Sequence, residues 1–259
     1  MSGGCPRGQD RGAGGARGGP GEGGAGRLLR GGTRLSRASA EGHHDQVRLE
    51  PITWERLGQN LAERLLRVEP PEGGAHVRAA VDGAPAARPG ELAERLAAEL
   101  RLRGRPALVV GTEGFLRPAS LRFEFGHEDP ESFYDGWFDI EALWREVLTP
   151  LDEGGTGWVL PDLWDPATDR ATRSPRTQLP PGGVLLLHGP LLLHHWFPFD
   201  LTVHLNLSPA ALRRRTPQDQ QWTLPAFARY ERETDPVRAA DVVVRADDDR
   251  HPAWGGAGE

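Results

Sequence analysis

The chain contains no lysine: all 31 of its basic residues are arginine. No ε-ammonium is available anywhere to neutralise a bound phosphate, so a cation in that role must be a guanidinium. A single cysteine, Cys5, rules out a disulfide framework or a cysteine-based metal site and fits a reducing compartment. No segment approaches the roughly 18 continuous apolar residues of a membrane span. Residues 1–30 also lack the apolar stretch of a secretory signal, so no membrane association is expected and the cytoplasm is the default location. Aromatic residues are missing from positions 1–40, which instead hold 14 of the 34 glycines and seven arginines against two acids. With so little to bury, this arm cannot offset the entropy of ordering, and residues 1–45 are expected to be disordered. The arm is basic, but a chain at net −6 carries its negative charge in the remaining body, which argues against a large nucleic-acid footprint.

With 37% hydrophobic residues, the body can build a core. Short apolar runs at 77–82, 107–111, 184–189, 201–207 and 240–245 read as strands, and Val184-Leu185-Leu186-Leu187 suits the middle of a sheet. Helical periodicity covers Thr53 to about Leu66, 89–102, 140–148, a short piece from Ser208, and 224–233. Strands alternating with helices predict one α/β domain over residues 50–250: a three-layer α/β/α fold around a mostly parallel five-stranded sheet. Residues 251–259 are expected to be a flexible tail. Two stretches resist assignment. One, from Phe115 to Phe138, is crowded with aromatics and reads as a stapled loop or a substrate wall; the other, 158–181, carries Asp162, Asp165 and Asp169.

The strand at 77–82 runs through a Gly/Ala/Pro turn into the helix at 89–102, the order required by a phosphate-binding loop. A working loop reads G-x-x-x-x-G-K-[ST]: backbone N–H groups cradle phosphate, lysine neutralises it and the hydroxyl holds Mg²⁺. With Gly83 as the first glycine, Arg88 falls on the second glycine, Pro89 on the lysine and Gly90 on the hydroxyl position.

The order of motifs along residues 50–250 resembles the uridine kinase and phosphoribulokinase-like branch of the P-loop nucleoside kinases. The resemblance rests on Val81-Asp82-Gly83, Glu113-Gly114-Phe115-Leu116-Arg117-Pro118, and Asp129-Pro130-Glu131-Ser132-Phe133-Tyr134 with Phe138-Asp139. It continues through Leu187-His188-Gly189, the run Arg213, Arg214 and Arg215, Arg229-Tyr230, and Ala240-Asp241-Val242-Val243-Val244. It implies a base at Glu113, where the family carries aspartate; the longer side chain moves the carboxylate by about 1.5 Å. It further implies a substrate wall of Arg117, Phe133, Tyr134 and Arg229, a lid bearing Arg213, Arg214 and Arg215, and His188 in place of an acid at the end of the central strand.

The phosphate loop, Asp82, Gly83, Arg88, Pro89 and Gly90, departs from the family where the chemistry needs it most. Arg88 either grips an anion with its fork, fills the site against nucleotide, or points into water. Glu113 is either a base or a solvated acid. His188, His194 and His195 lack metal-ligand spacing, so no metal site is expected. These residues together point to a catalytically inactive or strongly altered homologue that binds a nucleoside, a phosphorylated metabolite or a protein partner, with no cofactor. The alternative is a divergent kinase that uses Mg²⁺ and ATP to phosphorylate a nucleoside or another small-molecule hydroxyl.

Overall fold

The computed structural model describes residues 49–256. The expectation for residues 1–45 lies outside them. The strands are β1 (Glu50–Pro51), β2 (Val77–Gly83), β3 (Ala107–Gly111), β4 (Trp158–Val159), β5 (Trp164–Asp165), β6 (Arg170–Ala171), β7 (Thr177–Gln178), β8 (Val184–Gly189), β9 (Leu201–Asn206), β10 (Val242–Arg245) and β11 (Ala253–Gly256). The α-helices are α1 (Trp54–Arg67), α2 (Pro89–Leu102), α3 (Ala119–Arg122), α4 (Pro130–Asp135), α5 (Ile140–Leu143), α6 (Pro209–Arg215), α7 (Leu224–Glu233) and α8 (Pro236–Ala239). None of them is long and apolar enough to cross a membrane.

The main sheet has the order β1-β11-β10-β9-β2-β8-β3. The five expected strands form its parallel part, with β2 between β8 and β9. Two further strands correct the five-stranded expectation. Ala253–Gly256, in the segment expected to be a flexible tail, pairs antiparallel with β10, and β1 pairs antiparallel with β11. Neither addition shows apolar alternation, because Trp-Gly-Gly and Glu-Pro enter the sheet through backbone hydrogen bonds.

The helices form because their caps and stripes agree. The Thr53 hydroxyl accepts the Arg56 N–H at the start of α1, whose Leu57, Leu61 and Leu65 are fully buried. Leu92, Leu96 and Leu100 of α2 meet the same face of the sheet, opposite Val77, Ala79 and Val81 of β2. Each such leucine contributes about 1.5–3 kcal/mol when taken out of water. The other face of the sheet, with Ala80, Leu185 and Leu187, is covered by Leu143, Val147 and Leu148. The helix expected over 140–148 begins with Asp139 accepting the Ala142 N–H, then widens into a π turn over Trp144–Leu148. The irregular stretch at 158–181 contains two small hairpin pairings, β4 with β7 and β5 with β6.

Candidate functional site

Parallel register brings the chemistry-bearing residues to one edge of the sheet. Gly111 of β3 lies opposite His188 of β8, and Asp82 of β2 lies opposite His204 of β9, all at carboxyl ends, where open α/β sheets bind ligands. The chain leaves β2 at Gly83, where a Cβ would stand 2.9 Å from that of Leu205; only glycine lets the two strands approach this closely. A 3₁₀ turn, Pro85–Ala87, follows, and Arg88 precedes α2 in the left-handed region at φ 59° with no side-chain cap. Pro89 then takes the first helical position, where its missing N–H costs nothing to the helix but removes a donor from the loop.

The Arg88 guanidinium is half-exposed and paired with carboxylates of the chain itself. It lies 3.0 Å from the Asp249 carboxylate and 3.7 Å from that of Glu91. Asp249 is shared with Arg215, 3.1 Å away, which also donates to the carbonyls of Ala246 and Asp247. Two guanidiniums thus converge on one carboxylate of the chain itself, beside a groove of about 440 Å³ that Arg88, Arg215 and Phe133 help to line.

The metal-hydroxyl position is also filled. A Cβ on Gly90 would sit 3.0 Å from Cε1 of His188, so the imidazole occupies the space above the first turn of α2. Burial holds the His188 pKa below its ordinary value, and the neighbouring Glu113 carboxylate opposes that shift. Glu113 lies in the turn after β3, largely exposed, with its carboxylate 3.7 Å from His188 Nε2. The turn into α2 thus carries no lysine, no hydroxyl at Gly90 and no N–H at Pro89, and its Arg88 is paired with Asp249 and Glu91. What lies beside it is the Glu113 carboxylate, 3.7 Å from the His188 imidazole.

Of the expected substrate wall, Phe133 and Tyr134 lie on α4 and Arg229 lies on α7. Arg229 binds the carboxylates of Glu131 at 2.6 Å, Asp135 at 2.8 Å and Glu233 at 3.0 Å, and its guanidinium lies 4.0 Å above the Tyr134 ring. The Tyr134 hydroxyl meets His194 Nδ1 at 3.2 Å. Phe133 is buried among Trp137, Phe138, Trp222 and Phe227. These contacts pack α4 against α7. Of Arg117, Phe133, Tyr134 and Arg229, only Phe133 reaches a described cavity. The three arginines of the lid also diverge, because successive helical residues point about 100° apart. Arg215 turns inward, Arg213 lines a second cavity and Arg214 is exposed.

One arrangement was not anticipated from the sequence. Asp82 is fully buried and accepts hydrogen bonds from the Leu192 N–H at 2.9 Å, the Tyr230 hydroxyl at 3.1 Å and His204 Nδ1 at 2.6 Å. The Tyr230 hydroxyl in turn accepts the Leu193 N–H. Burial and the adjacent Asp82 push the Tyr230 pKa above its ordinary value, so the hydroxyl keeps its proton and donates it. His204 also lines a cavity of about 770 Å³ between α6, α7 and the ends of β9 and β10. The available signal was a histidine at an inward position of the apolar strand Leu201–Asn206, which at that depth needs a partner.

No family model and no curated protein matches the chain. Among solved structures, it is similar to a possible uridine kinase from Bacillus stearothermophilus, with 20% identity and a TM-score of 0.59 over 73% of this chain and 97% of that one. It is likewise similar to a candidate fructose transport system kinase from Silicibacter sp. TM1040, with 25% identity and a TM-score of 0.52 over 73% and 95%. The YGR205w protein aligns with a TM-score of 0.51 at 9% identity, over 80% and 100%. The chain has the fold of uridine kinase and related P-loop kinases.

Proposed function

We propose that this uridine-kinase-like chain no longer transfers phosphate and acts by binding a small molecule, a nucleoside or a phosphorylated metabolite, or a protein partner. The observation that carries this reading is the Asp249 carboxylate held between Arg88 and Arg215 at the entrance to α2. A chain carboxylate satisfies the two guanidiniums best placed to meet a phosphate, and an added phosphate would have to displace it against like-charge repulsion. The His188 ring over Gly90 supports the same reading for the metal. Phosphoryl transfer depends on positioned cations and Mg²⁺ to neutralise charge on the transferred group, and each ~1.4 kcal/mol of lost transition-state stabilisation is about tenfold in rate.

The alternative, transfer of the γ-phosphate of ATP to a nucleoside or other hydroxyl, draws on one observation. Glu113 is exposed at the carboxyl end of β3 with His188 beside it, a placement suited to a general base. Calorimetry with Mg²⁺-ATP and a coupled ADP-release assay across nucleosides separates the two readings. We expect neither saturable ATP binding in the micromolar range nor nucleoside-dependent turnover. Micromolar binding with turnover near ~1 per second, abolished by Glu113→Gln, would establish the kinase instead.

A further inference from the structure

The cavity of about 770 Å³ beneath α6 and α7 shares only Ala84 and Phe227 with the groove at the phosphate loop. Its size suits a small organic ligand. Most of its wall is apolar, from Leu205, Leu207, Leu212, Leu224 and Phe227. The inner wall holds His204, whose side chain is 5% exposed. A carboxylate can only accept, so the bond to Asp82 places a ring proton on Nδ1; in the Nδ1–H tautomer Nε2 is an acceptor. That Nε2 is buried and has no hydrogen-bond partner among the described residues. The nearest candidate, Glu231 Oε1, stands 4.0 Å away, beyond hydrogen-bond distance.

An orphaned acceptor at this depth is costly unless something answers it, and the Asp82–Tyr230 network prevents the ring from turning away. The outer part of the cavity is lined by Arg213 and Arg245, both exposed and neither paired with a carboxylate among the described residues. From inside outward, the site offers an acceptor at His204 Nε2 flanked by the Glu231 carboxylate, an apolar middle and two cations. We propose that it binds an amphipathic organic anion: an N–H or O–H donor meets His204 Nε2, a ring or chain lies against the leucines and Phe227, and an anionic group meets Arg213 and Arg245. This inference stands independently of what the phosphate loop does.

6-Hydroxynaphthalene-2-sulfonate carries all three features in that order, a hydroxyl O–H, fused rings and a sulfonate at the opposite end, and serves as the fluorescent probe. The full chain, shown to be native by near-ultraviolet circular dichroism, is titrated by fluorescence and calorimetry. A parallel titration of ¹⁵N-histidine-labelled protein follows the Nε2 resonance of His204, assigned by its absence in His204→Gln. The expected result is saturable one-to-one binding with a shift of that resonance. Binding should weaken by at least about tenfold in Arg213→Glu/Arg245→Glu, which reverses two rim charges without touching the core. Mg²⁺-ATP should not compete, and Arg88→Ala should leave the affinity unchanged, which keeps this test separate from that of the phosphate loop. Absence of saturable binding, an unmoved His204 resonance, or full affinity in the charge-reversed variant would each overturn the proposal.

Discussion

At the scale of single residues, the loop that opens α2 is defined by what crowds it. Gly90 tolerates the His188 imidazole 3.0 Å from where a Cβ would be, so a glycine at the metal-hydroxyl position and a histidine at the end of β8 are two halves of one packing solution. Adding a side chain at Gly90 therefore carries a steric penalty. Gly90→Ser is expected to destabilise the fold by about 1 kcal/mol, as overpacking does, and adding His188→Ala should recover part of that loss. Urea denaturation of the two single variants and the double variant measures the coupling; strict additivity would show that the ring and the glycine are not in conflict.

At the scale of elements, the edge of the sheet depends on a strand made from the end of the chain. β11 pairs with β10 over four residues and with β1 over two, and Trp254 packs on the same core cluster as α1 and α2. Removing residues 252–259 strips β10 of one neighbour and leaves β1 with none. We expect a loss of about 2 kcal/mol and a fall in melting temperature of roughly 5 °C. Calorimetric melting of the truncated chain checks this, and an unchanged transition would return the segment to the status of a tail. The pairing of α4 with α7 is another element-level device: Arg229 gathers three carboxylates from the two helices and joins them.

At the scale of the whole molecule, buried imidazoles shape the response to acid. Burial lowers the His195 pKa from 6.5 to about 4, reinforced by the adjacent His194. Above pH 6.5 the group is neutral in both folded and unfolded chains and contributes nothing to the pH dependence. Between about pH 6.5 and 4 the unfolded chain takes up a proton that the folded one refuses, so stability falls as pH falls, by up to about 3 kcal/mol over the window. Asp200 and Glu231, whose pKa values are raised by burial, bind protons more readily when folded and act in the opposite direction. Their effect cancels when the chain is compared with His195→Phe. That variant should show a flatter slope of unfolding free energy between pH 6.5 and 4, measured by denaturant titration; equal slopes would show that His195 titrates normally.

The layered α/β fold was legible in the sequence because it depends on local periodicity. Val77 to Asp82, Ala107 to Gly111 and Val184 to Gly189 have the apolar character of buried strands, and Leu92, Leu96 and Leu100 recur at helical spacing. The order of those pieces also sufficed to identify the kind of fold that the solved structures share. β11 and β1 were not legible, since Ala-Trp-Gly-Gly and Glu-Pro join the sheet chiefly by backbone pairing and show no alternating side-chain pattern. Nor were the side-chain partners. Arg88 with Asp249, His188 with Gly90, and Asp82 with His204 and Tyr230 join positions 98 to 161 residues apart. One acceptor, His204 Nε2, is left buried against a cavity with no partner among the described residues, and no sequence pattern announces that. Sequence alone determined which donors, acceptors and charges the chain possesses. Only tertiary packing decided which of them satisfy one another, because a charge or hydrogen bond acts over a few ångströms and that distance is set by the fold.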